Sequence, residues 1–143
     1  MKTTARNQFA GTITALQRGP ANTEVTLALR GGNPIVAMVA SNAAQRMKLN
    51  AGDEAVALVK SSAVVLESDF AGFMLSAQNQ LAGTLSRPDR GAVSPTPGVT
   101  LPGGQVVTAS VTNDAVSALG MAVGQPTTAV FKSSAVMLAV PSS

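Results

Sequence analysis

The chain has 143 residues, with ten basic and seven acidic side chains and a net charge of +3. It has no His, Cys, Trp or Tyr, which excludes an imidazole base, a thiolate nucleophile, a disulfide framework and the usual zinc, haem or iron–sulfur sites. Because 45% of the residues are hydrophobic and only 12% are charged, we expect a compact protein rather than a disordered chain.

The first half of the sequence is typical of short strands. Residues 25–29 alternate apolar with small or polar side chains, as a half-buried strand does. Residues 35–39 and 55–59 are apolar runs of strand length. The Gly-Gly-Asn sequence at residues 31–33 indicates a hairpin turn.

One short helix is predicted after the second of these strands. Ser41 or Asn42 would cap a helix over residues 43–49, because both residue types accept hydrogen bonds from free N–H groups at a helix start. Gly52 follows the end of this segment, as expected for a helix terminus.

The second half follows a short, partly apolar join at residues 67–75, so we expect the halves to pack together. Residues 87–98 include three prolines, which must shorten or displace a strand because proline lacks the N–H that a sheet requires. A second helix is predicted over residues 114–119, capped by Thr112 or Asn113.

The two halves are copies of one module. Residues 4–13 return as residues 76–85 with six of ten positions identical, and residues 60–66 return as residues 132–138 with six of seven identical, both at an offset of 72. A deletion and a compensating insertion would align Ser41 with Thr112.

The repeat defines the expected architecture. Residues 1–67 form the first module, residues 68–75 a connector, and residues 76–143 a divergent second module with the Pro-rich loop 87–98. Short strands, Gly-rich turns and one small helix per module predict an all-β fold of two tandem OB-like barrels. Because a module of this size buries little surface alone, association of repeats or subunits is expected.

Three polar features recur in both modules: an opening Ser/Thr-Ala-Arg/Gln-Asn-Gln segment, a hydroxyl at the helix start, and a Lys-Ser-Ser sequence. Each supplies hydrogen-bond donors, and a helix N-terminus attracts anions. Simpler interpretations exist. The hydroxyls would be helix N-caps, the lysines would prevent strand edges from pairing with other chains, and Arg6 would be a surface charge. Since the polar positions recur together with the core, we favour a site for a small tetrahedral dianion.

Several segments resemble the Mop module of the molbindins: residues 4–8, 22–25, 36–42 and 59–64. The tandem arrangement resembles the di-Mop members of that family, and the resemblance covers nearly all of both modules. It implies one OB-like barrel per module, a homotrimer of tandem chains, and molybdate or tungstate bound between modules as an intact oxyanion. It implies no cofactor, no directly ligated metal ion, and a cytoplasmic role in molybdenum storage, buffering or homeostasis.

The resemblance also implies a set of oxyanion-binding residues. In the first module they are Thr4, Ala5, Arg6, Ser41, Ala44, Lys60 and Ser61. In the second they are Ser76, Ala77, Gln78, Thr112, Ala115, Lys132 and Ser133. A loop containing Gly19, Asn22 and Thr23 is associated with possible additional sites.

Some positions depart from the family pattern. Gln78 stands where the family has arginine, which removes a cation, and Ala44 and Ala115 stand where relatives often have serine. The motif at residues 22–25 is absent from the second module. We therefore expect fewer or more heterogeneous sites than in a symmetric relative.

Other functions fit the sequence less well. A nucleic-acid-binding OB protein, or a scaffold that has lost oxyanion binding, is the main alternative, but basic residues are scattered and aromatic stacking platforms are lacking. A regulator or transporter subunit would need further domains. An enzyme is disfavoured because no carboxylate pair recurs. The polar N-terminus and short apolar runs predict no membrane partner and a cytoplasmic location.

Overall fold

The computed structural model describes residues 3–86 and 96–142, which form two five-stranded antiparallel sheets. In chain order the elements are β1 (Asn7–Arg18), β2 (Asn22–Leu29), β3 (Pro34–Ala40), α1 (Ser41–Arg46), β4 (Glu54–Val59), β5 (Val65–Glu67), β6 (Asn79–Ser86), β7 (Gly98–Thr100), β8 (Val106–Thr108), α2 (Asn113–Ala118), β9 (Pro126–Phe131) and β10 (Val136–Ala139). Two 3₁₀ turns, Ser61–Ala63 and Ser133–Ala135, precede β5 and β10. The all-β prediction with one short α-helix per repeat is confirmed.

The last strand of each repeat belongs to the sheet of the other repeat. Sheet A has the order β10-β4-β1-β2-β3, and sheet B has the order β5-β9-β6-β7-β8. Val136 pairs with Val59 in sheet A, and Val65 pairs with Val130 in sheet B. Strand β10 also contacts β3, which closes sheet A. The repeats are therefore joined by strand exchange as well as by the connector.

Alternating burial explains why the first-repeat segments form strands. In β2 the side chains of Thr23, Val25, Leu27 and Leu29 are buried, and their neighbours are partly or fully exposed. This period-two pattern places every second side chain in the core, as the sequence predicted. The hairpin between β2 and β3 also lies where the Gly-Gly-Asn sequence placed it.

The second repeat keeps only a short counterpart of β2. Strand β7 has three residues, whereas β2 has eight. Thr96 and Pro97 lie before β7 and are not part of a strand, as the shortening expected from the prolines predicts, while residues 87–95 of the predicted loop lie outside the described residues.

The helices keep the offset of 72 without a gap, since α1 and α2 have matching bounds and their buried residues, Ala44 and Val116, are equivalent. The deletion and insertion inferred from sequence were therefore wrong. The buried helix positions define the alignment of the two repeats, whereas the pairs Ser41-Asn42 and Thr112-Asn113 that suggested the shift are not equivalent. Ser41 is equivalent to Asn113, and Ala40 to Thr112.

The two helix starts also differ in their capping. Thr112 caps α2 as predicted, because its Oγ1 accepts from the Ala115 N–H at 3.0 Å. The N-cap of α1 is Ala40, without a side-chain hydrogen bond. The prediction that Ser41 or Asn42 caps the first helix was wrong.

The turn regions of the two repeats meet at a close backbone contact. Gly31 has a φ of +86°, and a Cβ there would overlap the carbonyl oxygen of Pro102. Gly103 faces the carbonyl oxygen of Arg30 in the same way, and the Asn33 amide donates to the Pro102 carbonyl at 2.9 Å. Within residues 3–86 and 96–142, no helix is long and apolar enough to cross a membrane.

Candidate functional site

Two buried asparagines connect the opening of each repeat to the other repeat. The Asn7 Nδ2 donates to the Thr108 carbonyl at 2.9 Å, and the Thr108 N–H donates to the Asn7 Oδ1 at 2.8 Å. Asn79 makes the same pair of hydrogen bonds with the backbone of Val36, each at 2.8 Å. The two opening segments are therefore held against the opposite repeat in equivalent positions.

The first of these contacts gathers two cations and three hydroxyls. Asn7 is paired with Val59, so the preceding Arg6 and the following Lys60 lie opposite each other where β1 begins and β4 ends. Ser61, at the next position, has its Oγ 2.7 Å from the Oγ of Ser110, and its carbonyl accepts from the Ser110 N–H at 2.9 Å. We call this set the first junction; it consists of Arg6, Lys60, Ser61, Thr108 and Ser110.

The second contact is built in the same way from different side chains. The Gln78 Nε2 donates to the Glu24 Oε2 at 3.2 Å. Glu24 is paired with Met38 across β2 and β3, and the turn that contains Ser133 contacts β3. We call this set the second junction; it consists of Gln78, Lys132, Ser133, Glu24, Val36 and Met38. The predicted residues Ser76, Ala77 and Lys132 line a neighbouring cavity of about 460 Å³.

Exposure at the first junction suits an anion that arrives from solvent. The side chains of Arg6 and Lys60 are exposed, whereas Ser61 is buried. The predicted residues Thr4 and Ala5 precede Arg6 and share this end of the sheet. Two hydroxyls that are hydrogen-bonded to each other use only one of their protons, so the Ser61–Ser110 pair can still donate to a ligand.

The structure does not bring Ser41 and Ala44 to the first junction, where Arg6 and Lys60 of the same repeat lie. Arg6 precedes the first residue of β1, whereas Ser41 follows β3 beside the opposite end of β1, where Arg18 pairs with Thr23. At about 3.3 Å per residue, twelve residues of β1 place these ends roughly 35–40 Å apart along the strand. The within-repeat grouping expected from the resemblance is therefore not formed inside one chain.

Ser41 instead lies with the loop predicted to hold additional sites. Its Oγ donates to the Gly19 carbonyl at 2.6 Å and lies 2.9 Å from the Thr23 Oγ1. Gly19, Thr23 and Ser41 line a pocket of about 360 Å³ together with Arg18 and others, whereas Asn22 is not among its lining residues. The guanidinium of Arg18 is already engaged, since it donates to the Leu49 carbonyl at 2.8 Å.

Thr112 and Ala115 lie beside the first junction but are used locally. Thr112 is two residues beyond Ser110, so the start of α2 adjoins the Ser61–Ser110 contact. The Ala115 N–H is taken by the Thr112 hydroxyl. Each α-helix has only six residues, less than two turns, so its dipole adds little to an anion site.

Three contributors were missed at the sequence level. Thr108 ends β8, Ser110 follows it, and Glu24 lies near the start of β2, so they reach the junctions only because the repeats pack against each other. The polar Ser110 at the end of an apolar stretch was a weak signal. Glu24 belongs to the motif at residues 22–25, but it was not assigned to a site because a lone carboxylate in a strand is usually a surface charge.

Comparison with known proteins identifies related chains over the whole length. A family model for the TOBE domain matches residues 3–66 and 75–138. Molybdenum transport protein ModE of Herbaspirillum seropedicae is 60% identical over 98% of this chain and 52% of that protein. Molybdenum-pterin-binding protein MopA of Rhodobacter capsulatus is 37% identical over 99% of this chain and 53% of that protein. The chain thus spans about half the length of these curated relatives.

A solved structure matches almost the whole chain. It is the cytoplasmic molybdate-binding protein ModG with molybdate bound, with a TM-score of 0.88 and 43% sequence identity over 99% of this chain and 100% of that one. Both tandem units and their relative placement are therefore shared with that structure.

Proposed function

This chain belongs to the TOBE-domain family, as a tandem pair of its domains, and from that membership we propose that it binds molybdate or tungstate without catalysing a reaction. The observation that carries the proposal is the likeness to a structure of ModG with molybdate bound, at 43% identity over 99% of the chain. The proposed role is storage, buffering or homeostasis of molybdenum in the cytoplasm.

The chemistry of the first junction supports this function. Molybdate is a tetrahedral dianion that accepts hydrogen bonds from all its oxygens. Arg6 and Lys60 offer cationic donors and the Ser61–Ser110 pair offers a hydroxyl. Hydrogen bonds to charged groups contribute about 1.5–3 kcal/mol each, so three or four such contacts give useful affinity. Tungstate has the same shape and charge, and a cavity of matching size would exclude the smaller sulfate.

We propose that the complete site forms between chains of a homotrimer. Ser41 and Ala44 lie far from Arg6 and Lys60 in one chain, so a neighbouring subunit is needed to bring the two sets together. Val65 and Met137, at equivalent positions of β5 and β10, are 52% and 60% exposed and offer apolar surface for such an assembly.

The proposed oxyanion-binding residues keep the two sets expected from the resemblance. They are Thr4, Ala5, Arg6, Ser41, Ala44, Lys60 and Ser61, and Ser76, Ala77, Gln78, Thr112, Ala115, Lys132 and Ser133. Gly19, Asn22 and Thr23 remain candidates for additional sites, supported for Gly19 and Thr23 by the pocket they share with Ser41.

The test is equilibrium dialysis against molybdate and tungstate in excess sulfate, with bound metal counted by elemental analysis and the oligomer mass measured by light scattering. We expect several tightly bound oxyanions per trimer. Lys60→Ala should weaken the tight sites by about tenfold or more, since it removes a charged donor. Arg30→Ala removes an exposed cation near the hairpin tip and should leave affinity unchanged.

Two results would contradict the proposal. Binding no greater than the sulfate background would remove oxyanion storage and reopen the nucleic-acid or scaffold interpretation. Equal losses in Lys60→Ala and Arg30→Ala would mean that only net charge matters and that the first junction is not the site.

A further inference from the structure

We propose that the two junctions form unequal oxyanion sites, and that Glu24 is the residue that weakens the second one. This inference rests on the proposed function and adds a residue that sets the affinity of one class of site. The chain would then fill the first junction at low oxyanion concentration and the second only at higher concentration.

The constant offset of 72 allows the junctions to be compared position by position. Lys60 and Ser61 correspond to Lys132 and Ser133, so both junctions keep an ammonium and a hydroxyl. Arg6 corresponds to Gln78, and Ser110 corresponds to Met38. Thr108 corresponds to Val36, although its hydroxyl is already bonded to the Asn7 Oδ1. The second junction therefore lacks one cation and two hydroxyls of the first.

The same register shows that the second junction gains a negative charge. Glu24 corresponds to Thr96, so the carboxylate stands on the side that has lost its arginine. The first junction has two cations, and the position that corresponds to Glu24 by sequence offset holds the neutral Thr96. The second combines one cation with one carboxylate, and all three differences disfavour a dianion there.

The contact between Glu24 and Gln78 gives this difference a direct mechanism. The Gln78 amide donates to the Glu24 carboxylate at 3.2 Å, so the donor that replaces arginine is partly occupied. Glu24 is partly buried, and its contact with Gln78 is open to solvent. An oxyanion at Lys132 and Ser133 must approach this carboxylate.

Unequal sites would suit a buffer. Sites that differ in affinity hold a minimum load tightly and take up further oxyanion when the free concentration rises. A protein with identical independent sites would fill over a single narrow range. The divergence of the second repeat would then widen the working range of the protein.

The test is isothermal titration of the full chain with molybdate. For the unaltered chain we expect two classes of site. Glu24→Gln should raise the affinity of the weaker class by about five- to tenfold and leave the tighter class unchanged. Gln78→Arg, which restores the cation and gives Glu24 a partner, should act in the same direction. Thr96→Glu should weaken the tighter class.

Glu54→Gln is the matched control, because Glu54 is an exposed carboxylate at the opposite end of β4 and its replacement changes the net charge equally. Unchanged weak-site affinity in both Glu24→Gln and Gln78→Arg would overturn the inference while leaving the proposed function intact. Absence of any molybdate binding by the unaltered chain would instead overturn the proposed function. An equal gain in Glu54→Gln would assign the effect to net charge and also overturn the role of Glu24.

Discussion

Asn7 and Asn79 act as side-chain extensions of a β-ladder. Each amide satisfies one backbone N–H and one carbonyl of the opposite repeat, and the two side chains are only 1% and 2% exposed. Buried polar groups of this kind are costly to leave unpaired. Both asparagines therefore contribute to holding the two repeats together.

Replacement of one of these asparagines should destabilise the whole chain. Asn79→Ala leaves the Val36 N–H and carbonyl without their partners, so we expect a loss of about 2–4 kcal/mol in the free energy of unfolding. Urea denaturation followed by circular dichroism measures this loss. Asn42→Ala, at an exposed position of α1, should change it by less than about 0.5 kcal/mol. Equal effects of the two variants would contradict the proposed role of Asn79.

At the level of single residues, the sequence predicted which side chains form hydrogen bonds better than it predicted their partners. The opening segments were expected to supply hydrogen-bond donors, and the Asn7 and Asn79 amides in them donate to backbone carbonyls. Their partners Thr108 and Val36 could not be inferred, because a contact between repeats depends on packing and not on local sequence. Ser41 was assigned to the wrong local role for a related reason: its hydroxyl bonds Gly19 and Thr23, which compete with capping.

Among the elements, the contact of the two hairpin tips is a sensitive point. Gly31 and Gly32 have the same φ of +86°, but only Gly31 faces the Pro102 carbonyl, and no atom lies within 4 Å of a Cβ built at Gly32. Side chains introduced at these two positions would suffer the same backbone strain, but only the one at Gly31 would also overlap the other repeat.

This difference gives a matched pair of variants. Gly32→Ala should cost about 1–2 kcal/mol, the usual strain of a side chain at positive φ. Gly31→Ala should cost about 2 kcal/mol more, because the tips must also move apart. Thermal unfolding of both variants measures the difference. Equal losses of stability in the two variants would show that the two hairpin tips can move apart at no cost.

Strand positions were predictable where burial alternates, as in β2, but strand partners were not. Strands β5 and β10 have nearly the same sequence, since Val65 and Leu66 correspond to Met137 and Leu138. Either strand satisfies the pattern of sheet A or sheet B equally well. Hydrophobic periodicity specifies that a segment is a strand and which face it buries, but it does not specify which equivalent edge it occupies.

For the whole molecule, this equivalence predicts what an isolated first repeat would do. A chain of residues 1–78 keeps β1–β5 but lacks β10, so the edge of β4 has no neighbour and β5 has no sheet to join. Two such chains can each donate β5 to the β4 edge of the other. We expect a dimer by light scattering, with dissociation and unfolding coupled. A stable folded monomer of this fragment would contradict the assignment.

Strand exchange also sets the order in which the protein can mature during synthesis. Sheet A contains β1, near the beginning of the chain, and β10, near its end, on opposite sides of β4. At roughly 5–20 residues per second, translation leaves the β4 edge open for several seconds after that strand has emerged. A neighbouring nascent chain on the same messenger RNA exposes an identical β4 edge and an identical β5. Slow translation between β4 and β10 would therefore favour pairing between nascent neighbours, and rapid translation of this stretch would favour pairing within each chain.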